Sequence, residues 1–323
     1  MTRSRMYRDG RLVAEDFPDE DLARYLDDPD AVVWVDLAQP SGDDLAMLAD
    51  KLGLHDLAVR DAVRAHQRPR LNHYQGHALV ITYVAVVNPK SGVLHAHELA
   101  IFVTEHALIT VRKDDGIDPG QFTDRWDNQS ELAGSGVGFL LYGVLDEVVN
   151  AHLDALQVLD DHAESLEEAV FTESPTSTTM QRRMLRMHKS LGQLRRKVVP
   201  MEPVLNSLMR RDTTVYDQRM VPYYQDALDH VLYAADQIES LRDLIATIRD
   251  TQLNLQGNRL NLIMKKVTSW AAIIAVPTLI TGFYGQNLPL PGVNTPWGAW
   301  VSTVSLVLVS VLLYGSFKRK DWL

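Results

Sequence analysis

The chain has 323 residues, of which 46% are hydrophobic and 23% charged, with 32 Lys and Arg against 42 Asp and Glu and no cysteine. That is the composition of a folded chain with room for about two domains; it excludes disorder, collagen-like repeats, disulfide scaffolds, thiolate metal sites and cysteine nucleophiles. A formal net charge of −10 argues against nucleic acid as the main partner and suits cations.

Residues 1–125 predict a cytoplasmic α/β domain. The runs AVVWVDL (31–37), ALVITYVAVV (78–87) and HELAIFVTEHALITVR (97–112) read as strands. The segment SGDDLAMLADKLG reads as a helix capped at Ser41. His95 and His97 have no third ligand nearby and read as strand-edge residues rather than a zinc site. Residues 126–221 then sort their charge. Trp126 to Gln181 holds eleven acids and no Lys or Arg, whereas Arg182 to Arg211 holds nine bases and only one acid, Glu202. Two long helices of opposite sign, joined near Ser174 and Pro175, predict an antiparallel pair with solvated faces.

From Val267 to Phe317 the chain runs 51 residues without Asp, Glu, Lys, Arg or His. Within it lie two apolar runs, 267–284 and 299–317, of 18 and 19 residues. As helices they span roughly 27–29 Å, the thickness of a bilayer's hydrocarbon. The connecting segment 285–298 is rich in Gly, Pro and Asn and predicts a turn outside the cytoplasm. Lys265 and Lys266 precede the first span, and Lys318, Arg319 and Lys320 follow the second in a short basic tail, 318–323. Basic residues at both ends and none between place both termini in the cytoplasm of a multi-pass cell-membrane protein. The N-terminal MTRSRMYRDGRL has no apolar core of a signal peptide.

No proline interrupts the chain between Pro222 and Pro277, so residues 222–284 predict one stalk helix running into the first span. At 100° per residue, Met264, Val267, Thr268, Ala271, Ala275, Thr278 and Gly282 gather on one side, and Trp270, Ile273, Val276, Ile280 and Phe283 on the other. The small side reads equally as a close-packing face or as the wall of a pore built from several chains. Asp250 continues the same line upstream. The sequence contains no G-x-x-x-x-G-K-[ST], H-E-x-x-H or G-x-S-x-G, so nothing points to ATP-driven pumping, an enzyme or an organic cofactor.

The first span closes on Tyr284-Gly285-Gln286-Asn287, and the chain ends Lys318-Arg319-Lys320-Asp321-Trp322-Leu323. With Pro277, Thr278 and Gly282, this arrangement resembles the CorA family of divalent-cation channels, which carries Y-G-M-N after its first span and a basic cluster before a terminal Trp-Leu. Further upstream, Asn258-Arg259-Leu260-Asn261-Leu262-Ile263-Met264-Lys265 resembles the family's N-R-x-N-x-x-M-K. His66-Gln67-Arg68-Pro69-Arg70 resembles its H-x-R-P-K, and Tyr223 to His230 resembles its Y-x-D-x-x-D-H. Arg195-Arg196 with Pro200 resembles its R-R-x-x-x-P. Gln286 departs from the usual Met, as the zinc-transporting ZntB branch also departs there, and Leu288 to Pro296 carries no acid.

The resemblance implies a homopentamer in the bilayer that passes hydrated Mg²⁺, with Co²⁺ and Ni²⁺, and closes when cytoplasmic Mg²⁺ is high. Mg²⁺ sheds water reluctantly. A ring of Asn287 amides, with Gly285 and Gln286 at the mouth, can accept hydrogen bonds from the ion's own water shell without holding the ion tightly. Thr278 would add a polar ring, Ala275 and Ala271 an apolar lining, and Val267 and Met264 the hydrophobic gate. Asp250 matches the regulatory Mg²⁺ position, and Lys265, Lys266, Lys318, Arg319 and Lys320 form a basic girdle. A ZntB-like Zn²⁺ transporter and a non-conducting membrane-anchored scaffold or sensor are the competing readings.

Overall fold

The computed structural model describes residues 2–64, 67–128, 130–172, 178–210, 217–286 and 295–323. The chain forms two compact units, one ending at Ile248 and one from Arg249 to Leu323. The first opens with strands β1 (Thr2–Arg8) and β2 (Arg11–Glu15), helix α1 (Asp19–Leu26), strand β3 (Ala31–Ala38) and helices α2 (Gly42–Leu52) and α3 (Asp56–Val63). Strands β4 (Arg70–Tyr74), β5 (His77–Val87), β6 (Leu94–Val103) and β7 (Ala107–Arg112) follow. Helices α4 (Gly120–Asn128), α5 (Val137–Thr172), α6 (Thr178–Val198) and α7 (Met201–Leu208) come next.

The strands make one seven-stranded sheet in the order β2-β1-β3-β7-β6-β5-β4, antiparallel except between β3 and β7. Its central strands are buried on both faces and read as nearly continuous apolar runs. One face packs Val33, Val35, Ile81, Phe102 and Ile109 against Leu22, Leu45, Leu48 and Ala58 of α1, α2 and α3. The other face carries α5. The fold class is as the sequence predicts, an α/β domain followed by long helices and an apolar C-terminal pair. Ser41 accepts from the Asp44 amide in a capping box. The run 97–112 folds as β6 and β7, because Thr104 and Ala107 bond one another across the turn between them. Strands β1, β2 and β4 were not anticipated.

The β3–β7 register is pinned by a buried polar network. Asp36 accepts from Arg112 Nη2 at 2.7 Å and from Thr110 Oγ1 at 2.7 Å, and Arg112 Nη1 donates to the Ile117 carbonyl at 2.9 Å. Trp34 Nε1 completes it by donating to Thr110 Oγ1 at 3.1 Å. Every strong donor here has a buried partner, the condition under which a buried ion pair is tolerated.

Helices α5 and α6 meet along an apolar seam of Leu159, Ala163, Leu166, Met180, Met184, Met187 and Leu191, all buried. Most of their charged residues face outward; Asp146 of α5 is buried, where it pairs with Arg125 of α4. On α5, His152 is buried and its Nε2 donates to the Tyr83 carbonyl at 2.9 Å. Burial pushes its pKa down to about 4, so the folded imidazole stays neutral well below the usual 6.5.

Helix α8 runs unbroken from Val221 to Tyr284, 64 residues, and α9 covers Pro296–Arg319. The second apolar helix thus begins three residues before the predicted 299. Thr295 caps it by accepting from Gly298 N at 3.4 Å, and Pro296 occupies the first turn, where no amide partner is needed.

Two outcomes follow. Arg112→Leu leaves Asp36 as an unpaired buried carboxylate, and urea unfolding of the detergent-solubilised chain should show a loss of about 3–5 kcal/mol. Between pH 6.5 and 4 the unfolded chain binds a proton at His152 that the folded chain does not. Stability conferred by neutral His152 is therefore full above this window and falls as pH drops through it. His152→Gln should flatten the pH dependence of the unfolding midpoint there, by at most about 1.4 kcal/mol per pH unit.

Candidate functional site

The C-terminal unit is built by the end of α8 together with α9. Along α8, Tyr224, Ala227, Val231, Ala234, Ile238, Leu241, Ile245 and Ile248 are buried at helical spacing. Beyond Gln252 the described positions of α8 are exposed or half-covered until Ser269, which is fully buried. Ala272, Ile273, Val276, Pro277 and Ile280 continue from Ser269 as half-covered positions on one side of the helix. On α9, Gly298 is buried, and Ser302, Ser305, Leu306, Val309, Ser310, Leu313 and Phe317 are half-covered at spacings of three and four. These two faces are the seam of a helical hairpin with small residues at its contacts.

The candidate pore residues lie elsewhere on the helix. Met264 is 66% and Val267 63% exposed, and Ala271, Ala275, Thr278 and Gly282 are exposed too. At 100° per residue, that stripe sits about 160° from the line through Ser269, Val276 and Ile280. The bulky side predicted from the sequence divides in two. Ile273, Val276 and Ile280 enter the seam, while Trp270 and Phe283 stay exposed on the flanks.

Several hydroxyls in the spans are satisfied locally. Thr278 Oγ1 donates to the Ile274 carbonyl at 2.8 Å, and Thr281 Oγ1 donates to the Thr278 carbonyl at 2.9 Å. Pro277 supplies no amide to the ladder, yet the helix continues through it. At the far end the Gly285 amide donates to the Thr281 carbonyl at 2.9 Å and that of Gln286 to the Phe283 carbonyl at 3.3 Å. A Cβ on Gly285 would come within 3.1 Å of the Thr281 oxygen, so glycine lets the helix close tightly there. Gln286 is exposed. Asn287, with the loop to residue 294, lies outside the described residues, as does His66.

At the other end of the hairpin the tail has a defined shape. Asp321 takes a left-handed conformation, φ 53°, and the Trp322 amide donates back to the Phe317 carbonyl at 3.0 Å. This is a Schellman-type stop, with Trp322 stacked on Phe317 at 5.7 Å between ring centroids. Trp322 also borders an open depression of about 610 Å³ with Asn258, Asn261, Met264, Lys265 and Thr268. The two asparagines of the N-R-x-N segment and Trp322, far apart in sequence, meet here; that juxtaposition was not legible in the chain. Lys265 and Lys266 are exposed, Lys318 and Arg319 occupy the last turn of α9, and Lys320 caps it.

Asp250 is exposed, with Oδ1 3.5 Å from Arg249 Nη2. Among the described residues no group of three or more His, Asp or Glu could hold a metal ion. His97 pairs instead with Asp114, Nδ1 to Oδ1, at 2.8 Å.

Comparison with known proteins places this hairpin. The chain is 27% identical over 300 residues to the cobalt/magnesium transport protein CorA of Thermotoga maritima, covering 92% of this chain and 85% of that one. It superposes on the complete CorA magnesium transporter of Methanocaldococcus jannaschii with a TM-score of 0.81 at 23% identity, covering 100% and 99% of the two chains. The ZntB cytoplasmic domain of Vibrio parahaemolyticus is a more distant fold match, with a TM-score of 0.52 at 14% identity over 70% of this chain and 88% of that one. The family model described as CorA-like Mg²⁺ transporter protein matches residues 29–319. An α/β unit, one continuous helix leading into a charge-free hairpin and that match together establish that the chain belongs to the CorA-like Mg²⁺ transporter family, a divalent-cation transporter and not an enzyme.

Proposed function

We propose that this chain is one subunit of a homopentameric channel that passes hydrated Mg²⁺, with Co²⁺ and Ni²⁺, down its electrochemical gradient. The observation that carries this reading is the exposed stripe of Ala271, Ala275, Thr278 and Gly282 opposite the hairpin seam. A seam completed within one chain leaves the small-residue face for other copies and for water. Several such faces around an axis give a narrow path, with Thr278 as a polar ring and Met264 and Val267 as an apolar constriction that blocks ions when it dewets. Gly285, Gln286 and Asn287 follow the same helix at its outer end and serve as the amide collar for a hydrated ion.

Both termini lie in the cytoplasm of the cell membrane, with Lys265, Lys266, Lys318, Arg319 and Lys320 at the inner boundary. An inside-negative potential contributes roughly 2.3 kcal/mol per charge per 100 mV, enough to drive a divalent ion without ATP. Exposed Asp250 side chains of neighbouring subunits repel unless a cation bridges them, so cytoplasmic Mg²⁺ holds the closed state and supplies negative feedback. A second reading, ZntB-like Zn²⁺ transport, draws on Gln286 in place of Met.

Flux into proteoliposomes tests these assignments. Asn287→Ala should lower Mg²⁺ uptake about tenfold or more while the oligomer persists, since a charged-shell hydrogen bond is worth at least that factor; unchanged uptake rejects the channel and leaves a scaffold. Proton-dependent Zn²⁺ flux without Mg²⁺ flux would select the second reading. Because the chain has no cysteine, single cysteines can be placed freely. Thr278→Cys and Ala271→Cys should react with a membrane-impermeant thiol reagent far faster than Trp270→Cys. Asp250→Asn should keep conducting at internal Mg²⁺ that closes the parent channel, and normal closure would remove Asp250 from regulation.

A further inference from the structure

A depression of about 180 Å³ lies in the first unit where three elements converge, far in sequence from the apolar hairpin. The β5–β6 turn supplies Lys90, Ser91 and Gly92, α5 supplies His162 and Leu166, and α6 supplies Arg183, Arg186 and Met187. Four of these side chains are basic, and among the described residues no carboxylate lines it. On α5 the neighbouring acids Asp160, Asp161, Glu164, Glu167 and Glu168 fall more than about 100° away from the side that carries His162 and Leu166. A concentrated positive pocket is thus carved into a chain whose net charge is −10.

The pocket is held in shape by hydrogen bonds to neutral acceptors. Three carbonyls of the turn are taken up by the helices. His162 Nε2 donates to the Pro89 carbonyl at 2.9 Å, Arg186 Nη1 to the Ser91 carbonyl at 2.8 Å, and the buried Ser190 Oγ to the Gly92 carbonyl at 2.8 Å. Gly92 sits at φ +66°, and a Cβ there would touch the His162 ring at 3.4 Å, so glycine keeps the turn against the imidazole. Arg183 Nη2 donates to Ser165 Oγ at 2.9 Å. Pinning the turn accounts for His162, Arg186 and Ser190. It does not call for Lys90, exposed at the rim of the same depression.

We propose that this depression binds a phosphate-bearing anion, one or two phosphate groups in size. Arginine forks match phosphate oxygens, and a lysine beside them adds a point charge. The volume is below the range of pockets that enclose drug-sized molecules, so it takes the charged end of a ligand rather than the whole of a large one. The same chemistry is offered by a soluble phosphate or diphosphate and by an anionic lipid headgroup.

Calorimetric titration of the full-length chain in detergent, with inorganic pyrophosphate in metal-free, low-salt buffer, tests the site. One saturable site per chain is expected, weakened by salt as charge pairing requires. Exposed Lys90 can be reversed without touching the turn's hydrogen bonds; Lys90→Glu should cost tenfold or more in affinity with an unchanged melting temperature, and Arg183→Glu should do the same to affinity. Flotation with vesicles containing phosphatidic acid is the second arm. Flotation that Lys90→Glu abolishes, in the absence of pyrophosphate binding, assigns the headgroup as the source of the phosphate. Neither saturable pyrophosphate binding nor variant-sensitive flotation, or binding undiminished in both variants, overturns the proposal.

Discussion

Inside hydrocarbon a peptide group has no water to turn to, so every amide and carbonyl must find its partner within the chain. That constraint shapes the whole C-terminal unit. It requires the apolar segments to be helices, and it explains why the hydroxyls within them bond back to carbonyls one turn earlier. Ser269 donates to Lys265, Thr278 to Ile274, Thr303 to Ala299 and Ser310 to Leu306. Hydroxyls satisfied in this way can occupy a span cheaply, leaving it weakly polar without charge. Such residues suit a helix in lipid that would also line the water path proposed above.

The N-terminal unit is governed by a different balance. Its sheet is covered on both faces, so apolar strands are stabilised simply by burial. Among its buried polar groups, Asp36, Thr110, Trp34 and Arg112 close a network on one another. The α5–α6 pair shows the same preference for apolar contact. The two helices carry opposite charge, but the seam buried between them is methionine, leucine and alanine. Exposed ion pairs contribute little; flexible methionines fill such a seam well.

Much of this architecture was readable in the chain because its signals are strong and local. A 51-residue stretch without charge, bounded by lysines, has few physical interpretations. The end of α8 at Tyr284 agrees with the limit set by Gly285 and the prolines beyond. Strands β1, β2 and β4 were harder to find because they sit at or near the sheet's edges, where half-exposed strands mix arginine, asparagine and histidine with apolar residues. The stripe of small residues was visible on a helical wheel, but a wheel cannot say which side a neighbour covers. Ser269 decided that, and a lone serine gives no hint of being the most buried position in its span. The meeting of Asn258 and Asn261 with Trp322 depends on the antiparallel return of α9 and has no local signal at all.

The seam through Ser269, Val276 and Ile280 is satisfied by the chain's own second helix. A newly made polypeptide can therefore finish its membrane insertion alone, reaching a stable two-helix form before it meets another molecule. In the channel we propose, joining with others is a separate event that uses the surface that insertion leaves untouched. Damage to one step need not impair the other, so defects in biogenesis and defects in conduction should map to opposite sides of a single helix.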